Sequence, residues 1–146
     1  MKHTFARELQ DCICDVLNAN ETLVKGGCKA FAEAAGDIMG EITRQLAEVR
    51  GVAAAVTTPS FAKAAEAPQG DGVWLDGVLS LRFSEKPALN RLRPGRITAL
   101  DAALEAAAAL NPTQYTLETI EQTADEAGVV TVEARFAFTA HISGEQ

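Results

Sequence analysis

With 146 residues, 47% of them hydrophobic, and a mean hydropathy of +0.01, the chain suits one globular domain with a single core and does not suit a disordered one. Thirteen basic against twenty acidic side chains give a net charge of −7. That excludes a nucleic-acid binder held by phosphate contacts, though not a protein that nucleic acid slides past.

The opening, Met1 to Glu8, holds no apolar core of signal-peptide length, and no apolar run approaches the roughly 20 residues of a membrane helix. The expectation is a cytoplasmic protein whose three cysteines are reduced thiols. No membrane and no stable nucleic-acid partner is expected.

Phe5, Leu9, Cys12, Ile13, Val16 and Leu17 recur at helical spacing and predict a first helix over about 5–18, with Thr4 as its cap. A loop through Gly26-Gly27 follows, and Cys28 to Glu33 reads as a short strand. Gly36-Asp37 opens a second helix on Ile38, Ile42, Leu46 and Val49, with Gly51 at its C′ position. Val52 to Thr58 reads as a buried strand ended by Pro59. Residues 60–72, small and Pro/Gly-bearing, read as a loop with freedom to move.

Val73 to Ser84 is one long strand of period two, with Val73, Leu75, Leu79, Leu81 and Phe83 on one face and Asp76, Ser80, Arg82 and Ser84 on the other. It stops in Glu85-Lys86-Pro87-Ala88-Leu89-Asn90-Arg91, because Pro87 cannot donate to a ladder. After a basic turn from Arg91 to Gly95, Thr98 caps a third helix with Asp101 at the capping-box position. Its apolar stripe reads as Leu100, Ala103, Leu104, Ala107 and Ala108, and Asn111-Pro112 ends it.

Tyr115 to Thr123 and Val129 to Ile142 form a terminal hairpin. Its second arm is fourteen residues long and would extend roughly 45 Å at about 3.3 Å per residue. A domain of this length is on the order of 40 Å across. The arm is therefore expected to twist and bulge, or else to project towards another subunit. Taken together, the order predicts a single α+β domain with an antiparallel or mixed sheet and helices packed mainly on one face.

Chemistry is sparse. Cys12 and Cys14, two apart on a helix, point to opposite sides and cannot share a tetrahedral metal; Cys12 is expected in the core and Cys14 outside it. His3 and His141 lack triad partners in sequence. Gly26-Gly27 and Gly70-Asp71-Gly72 are turns, without the Lys-Ser/Thr of a phosphate loop. Glu118 with Glu121 and Asp125 with Glu126 read as solvated acids. No catalytic, cofactor-binding or metal-ligating set is assigned, and the expectation is a protein that is not an enzyme.

Arg91, Arg93 and Arg96, near Lys86 and Arg82, form the one basic cluster. It is either a solvated turn or an anchor for an acidic patch on a neighbour. Trp74, the only tryptophan, faces away from the core side of its strand and is covered by a helix or by a partner.

Several segments in order carry a family resemblance. Phe31-Ala32-Glu33 precedes Gly36-Asp37-Ile38, and the strand from Val52 ends in Thr58-Pro59. Glu85-Lys86-Pro87 is followed by Asn90-Arg91, the alanine-rich helix ends at Asn111-Pro112, and the hairpin finishes in Phe136-Ala137-Phe138. In this the chain resembles the tail-terminator, or tail-completion, proteins of long-tailed phages and prophages. The Cys-x-Cys helix has no counterpart in that resemblance.

The resemblance implies a subunit of a ring, often a hexamer, at the head-proximal end of the tail tube. There it would stop tube growth and present a surface to the head connector, made in the bacterial host cytoplasm and carried in the virion tail. Trp74, Arg82, Asn90, Arg91, Arg93, Arg96 and Arg135 are the candidate subunit-interface residues. Another connector, adaptor or minor tail protein is an alternative, as is a small bacterial binding module unrelated to phage.

Overall fold

A computed structural model describes residues 5–33, 51–64, 72–111 and 114–142. The elements are α1 (Phe5–Asn18), α2 (Glu21–Lys25), β1 (Cys28–Ala32), β2 (Val52–Val56), β3 (Ser60–Lys63), β4 (Val73–Glu85), α3 (Pro87–Asn90), α4 (Ala99–Leu110), β5 (Thr116–Ala124) and β6 (Val130–Ile142). The expected cap at Thr4 and the expected helix after Gly36 lie outside the described residues.

The fold is α+β: one mixed sheet in the order β1-β2-β4-β6-β5, with β3 also on β4. β1 runs parallel to β2, and the other pairs are antiparallel. β4 and β6 form the spine, paired from Val73↔Ile142 to Glu85↔Val130. Their inward residues Leu79, Leu81, Phe83, Val132, Ala134 and Phe136 are fully buried under α1 and α4, as the period of two requires.

The long final strand neither projects nor bulges. It lies between β4 and β5, and the irregularity falls in β5, between Leu117 and Thr119. The hairpin closes through Asp125, whose N–H donates to Val129 O at 3.0 Å, with Gly128 at φ 82°.

Part of the expected 60–72 loop is strand. β2 pairs with β4 only from Glu85 to Leu81. Beyond that, β4 has a free edge, and β3 takes it from Val78 to Leu75. Pro59, with no N–H, sits where the ladder changes hands. A side chain at Gly77 would collide with the Phe138 ring. Phe61 stands edge-on to that ring, with centroids 5.8 Å apart, so the two rings cover the glycine from either side.

Two helix faces differ from expectation. In α1 the buried set is Leu9, Gln10, Ile13, Cys14 and Leu17, so Cys14 is inside and Cys12 outside. Gln10 decides the rotation. Its amide donates to Val56 O at 2.9 Å and to Glu33 O at 3.4 Å, tying α1 to the end of β2.

In α4 the buried face is Ala99, Ala102, Ala103, Ala106, Ala107 and Leu110, while Leu100 and Leu104 stand outside. Alanine brings the helix backbone close to a sheet already filled by Phe83 and Phe136, and leucine at those positions would hold it off. Thr98 Oγ1 accepts from Asp101 N at 3.0 Å, as the capping pattern predicts.

α2 occupies what reads as loop. Asn20 Oδ1 accepts from Leu23 N at 3.0 Å and starts it.

Candidate functional site

The Glu85 to Arg91 motif folds into an internal clamp. Glu85 ends β4 fully buried. Its Oε1 accepts from Asn90 Nδ2 at 3.1 Å and lies 3.4 Å from Arg91 Nε; its Oε2 accepts from the N–H of Ala99. Asn90 Nδ2 also donates to Ile97 O at 2.8 Å, while Asn90 Oδ1 has no partner among the described residues. One buried carboxylate thus joins a strand end, a short helix and the first turn of α4, where the helix dipole favours negative charge. Pro87 at the first position of α3 makes the tight return feasible.

This clamp corrects one expected interface residue. Asn90 is 1% exposed, its amide is used inside the chain, and it has no surface for a neighbour. Arg91 is split: its Nε faces Glu85 while its side chain is 55% exposed. Arg96 packs over Gly27, which holds φ 86° and has no room for a side chain beneath the guanidinium. Arg93 stands in solvent.

The remaining expected residues lie on the outer face of the sheet. Arg82 Nε donates to Glu133 Oε2 at 3.1 Å, directly across the β4–β6 pair. Arg135 Nε donates to Glu118 Oε1 at 3.2 Å, and Glu118 is the residue passed over at the β5 irregularity. Both pairs are about half exposed and contribute little to stability. Trp74 stacks on His141 with centroids 4.6 Å apart. Eleven residues separate it from Glu85 along β4, roughly 36 Å at 3.3 Å per residue. The seven residues therefore form no single patch.

A groove on the helical side has more shape than any of these. One lobe, about 380 Å³, runs between α1 and the end of β6 and is lined by Phe5, Leu9, Cys12, Tyr115, Phe138 and Ala140, with Glu8 and His141 at its mouth. The next, about 270 Å³, continues along Cys12, Ile13, Val16, Ala109, Leu110 and Tyr115. Cys12, Gln114 and Tyr115 belong to both. Tyr115 packs edge-on to Phe138 at 5.4 Å, and its hydroxyl accepts from Gln114 Nε2 at 3.0 Å. Burial holds the Tyr115 hydroxyl above its ordinary pKa.

Burial raises Cys14 to about 11, with Asp11 and Asp15 adding to it, and raises Cys28 to about 12. Cys12 is the exposed thiol. A thiol reagent at pH 7 is expected to modify one cysteine in the folded chain and three after unfolding, because thiolate is the reacting form; rapid labelling of all three in the native chain would contradict the burial. The two buried thiols stay protonated in the fold while the unfolded chain ionises near 9.0, so their linkage lowers stability as pH rises from about 9 towards 12.

No family model and no curated protein matches this chain. Among solved structures, it is similar in outline to two proteins of Akkermansia muciniphila. One, solved without its transmembrane region, is 11% identical over 100% of this chain and 89% of its own, with a TM-score of 0.40. The other is 14% identical over 97% and 79%, with a TM-score of 0.37. Similarity at that level bears on neither activity nor partner.

Among the described residues, no three His, Cys, Asp or Glu side chains gather as a metal cluster, and no helix is long and apolar enough to cross a membrane. Neither the groove nor Leu92 is marked by a motif in the sequence. Leu92 shows there only as a leucine between two arginines in an exposed turn.

Proposed function

We propose that the chain is a non-catalytic structural subunit of a phage or prophage tail, a ring-forming terminator that caps the head-proximal end of the tail tube. One observation carries the assembling part of this reading: large aliphatic side chains stand in water on the helical layer. Val16, Val24, Leu92, Leu100 and Leu104 are exposed, Leu92 by 75% and Leu104 by 50%. Leu100 and Leu104 lie four residues apart on one face of α4, and a contiguous exposed apolar patch of that kind supports a protein contact.

The strand edges fit the same reading. β1 is closed by Asn18, which donates to Ala30 O and accepts from Ala30 N. β5 is open. Counting back from the bonded pair at Asp125 and Val129, residues 120, 122 and 124 turn their backbone groups outward. The net charge of −7 suits a lumen through which DNA passes without sticking. The segments quoted above, from Phe31-Ala32-Glu33 through Glu85-Lys86-Pro87 to Phe136-Ala137-Phe138, carry the resemblance to tail terminators.

The test is tube capping. Tail-tube protein from the same genome is polymerised with and without the chain, and tube ends are imaged. A cap on one end and a halt in elongation are expected. Tubes that grow unchanged, with bare ends, would overturn the terminator reading.

A further inference from the structure

We propose that the free edge of β5 takes an extended strand of another protein, one that carries lysine or arginine at alternate positions. The inference stands on the strand edge itself and does not depend on the ring reading.

The backbone names the kind of partner. Among the described residues β5 ends the sheet, with β6 on one side and no strand on the other. Its ladder to β6 is bonded at Asp125 and, by alternation, at 123 and 121. The N–H and C=O groups of Ile120, Gln122 and Ala124 therefore point away from the sheet. Gln122 and Ala124 are exposed and Ile120 is half-buried. Water meets such groups one at a time, whereas an added strand meets the whole row, a general mode of peptide recognition.

The edge is fit to receive one. β5 has neither lysine nor proline, two usual guards of an open edge. Thr119, Ile120 and Thr123 are β-branched and suit a strand surface. The irregularity between Leu117 and Thr119 ends the regular ladder, so the stretch on offer is 119–125. The opposite edge differs: at β1, Asn18 already bonds both the N–H and the C=O of Ala30. Among the described residues no side chain takes the outward groups of β5 in that way.

Charge selects the occupant. Glu121 stands in the middle of the offered stretch, on the outer face opposite Glu133. Glu133 is held by Arg82, and Glu118 by Arg135. Glu121 has no cation beside it among the described residues. An antiparallel strand on β5 sets one side chain directly opposite Glu121 and others diagonal to it. Lysine or arginine there pairs with Glu121, and a carboxylate there is repelled. A second copy of β5 would bring another Glu121 onto the same short stretch, on a body of charge −7. The edge therefore turns its own kind away and admits a basic strand.

The register fixes how the strand lies. Glu121 bonds towards β6, so a lysine opposite it turns its own N–H away from β5. The residues between the lysines then face Ile120, Gln122 and Ala124 and supply the bonded N–H groups.

A designed peptide tests this. It is as long as β5, nine residues, alternates lysine with valine and is blocked at both ends. Titrated into the native chain, it is expected to bind and to slow hydrogen exchange at the Ile120, Gln122 and Ala124 amides. N-methylation of every valine keeps the charge and removes the ladder, and should weaken binding at least about tenfold. Glutamate in place of lysine should weaken it as much. On the protein side, Gln122→Pro removes an outward N–H and no bond to β6, so the chain should fold and lose the peptide.

A methylated peptide that binds as tightly as its parent would mean attraction by charge alone and would overturn strand addition. Equal binding by the glutamate peptide would overturn the selection by charge. Concentration-dependent protection of the same three amides in the native chain alone would give the edge to a second copy and overturn the basic partner. A native chain that assembles but binds no peptide would leave self-assembly standing and this inference refuted. Peptide binding with uncapped tail tubes would keep the inference and refute the tail reading.

Discussion

Glu85→Ala is expected to destabilise the chain by about 3 kcal/mol and to lower its melting temperature by roughly 6–12 °C. The carboxylate is buried and accepts from Asn90 Nδ2 and the Ala99 N–H, with Arg91 alongside. Its removal leaves one N–H of the Asn90 amide and the Ala99 N–H at the helix start without their acceptor in a buried site, and unmade buried bonds cost more than made ones contribute. Arg91→Ala should cost less than about 1 kcal/mol, since that guanidinium is half in water. The two variants are compared by urea unfolding. If Glu85→Ala costs no more than Arg91→Ala, the clamp is not what joins β4 to α4.

Phe136→Ala should cost about 3–5 kcal/mol. Its ring is fully buried on β6, between Leu79 of β4 and Leu117 of β5, under the alanine face of α4. That face is made of side chains too short to move into the vacated space, so the cavity stays open. Phe61→Ala is the contrast: this ring is on the exposed strand β3 and 36% accessible, so its loss should be felt far less. Equal losses for the two rings, measured by calorimetry, would contradict a core centred on β4 and β6.

These two predictions show what the sequence made legible. β4 alternates from Gly77 to Phe83 and β6 from Val132 to Thr139, so their inward faces, with Phe83 and Phe136, could be read directly, whereas Val73, read on the core face, is exposed and Ser84, read on the other, is buried. The faces of α1 and α4 were harder. A polar Gln10 turned inward to donate to two carbonyls, at the end of β2 and after β1, and no periodicity reports that. In α4, alanine and leucine both count as apolar, yet only alanine fits close to the sheet. β3 exists because β2 stops short and leaves the β4 edge free, which is a fact about a partner strand.

The site was legible only in pieces. Asn90 and Arg91 were noticed as a motif, but their acceptor is Glu85 and their common anchor is the start of α4, fourteen residues beyond Glu85. Arg82 and Arg135 turned out to be paired across strands with Glu133 and Glu118. The groove draws on α1, the end of α4 and the start of β5, and closure of the fold alone brings those together.

The central claim is that the chain assembles with itself through the exposed apolar surface of its helical layer. The direct measurement is solution mass by light scattering over a concentration series, for the native chain and for Leu104→Asp. The account predicts a closed oligomer, a hexamer by its resemblance to tail terminators, for the native chain and a monomer of 15.4 kDa for the variant. A native chain that stays at 15.4 kDa at every concentration would contradict it.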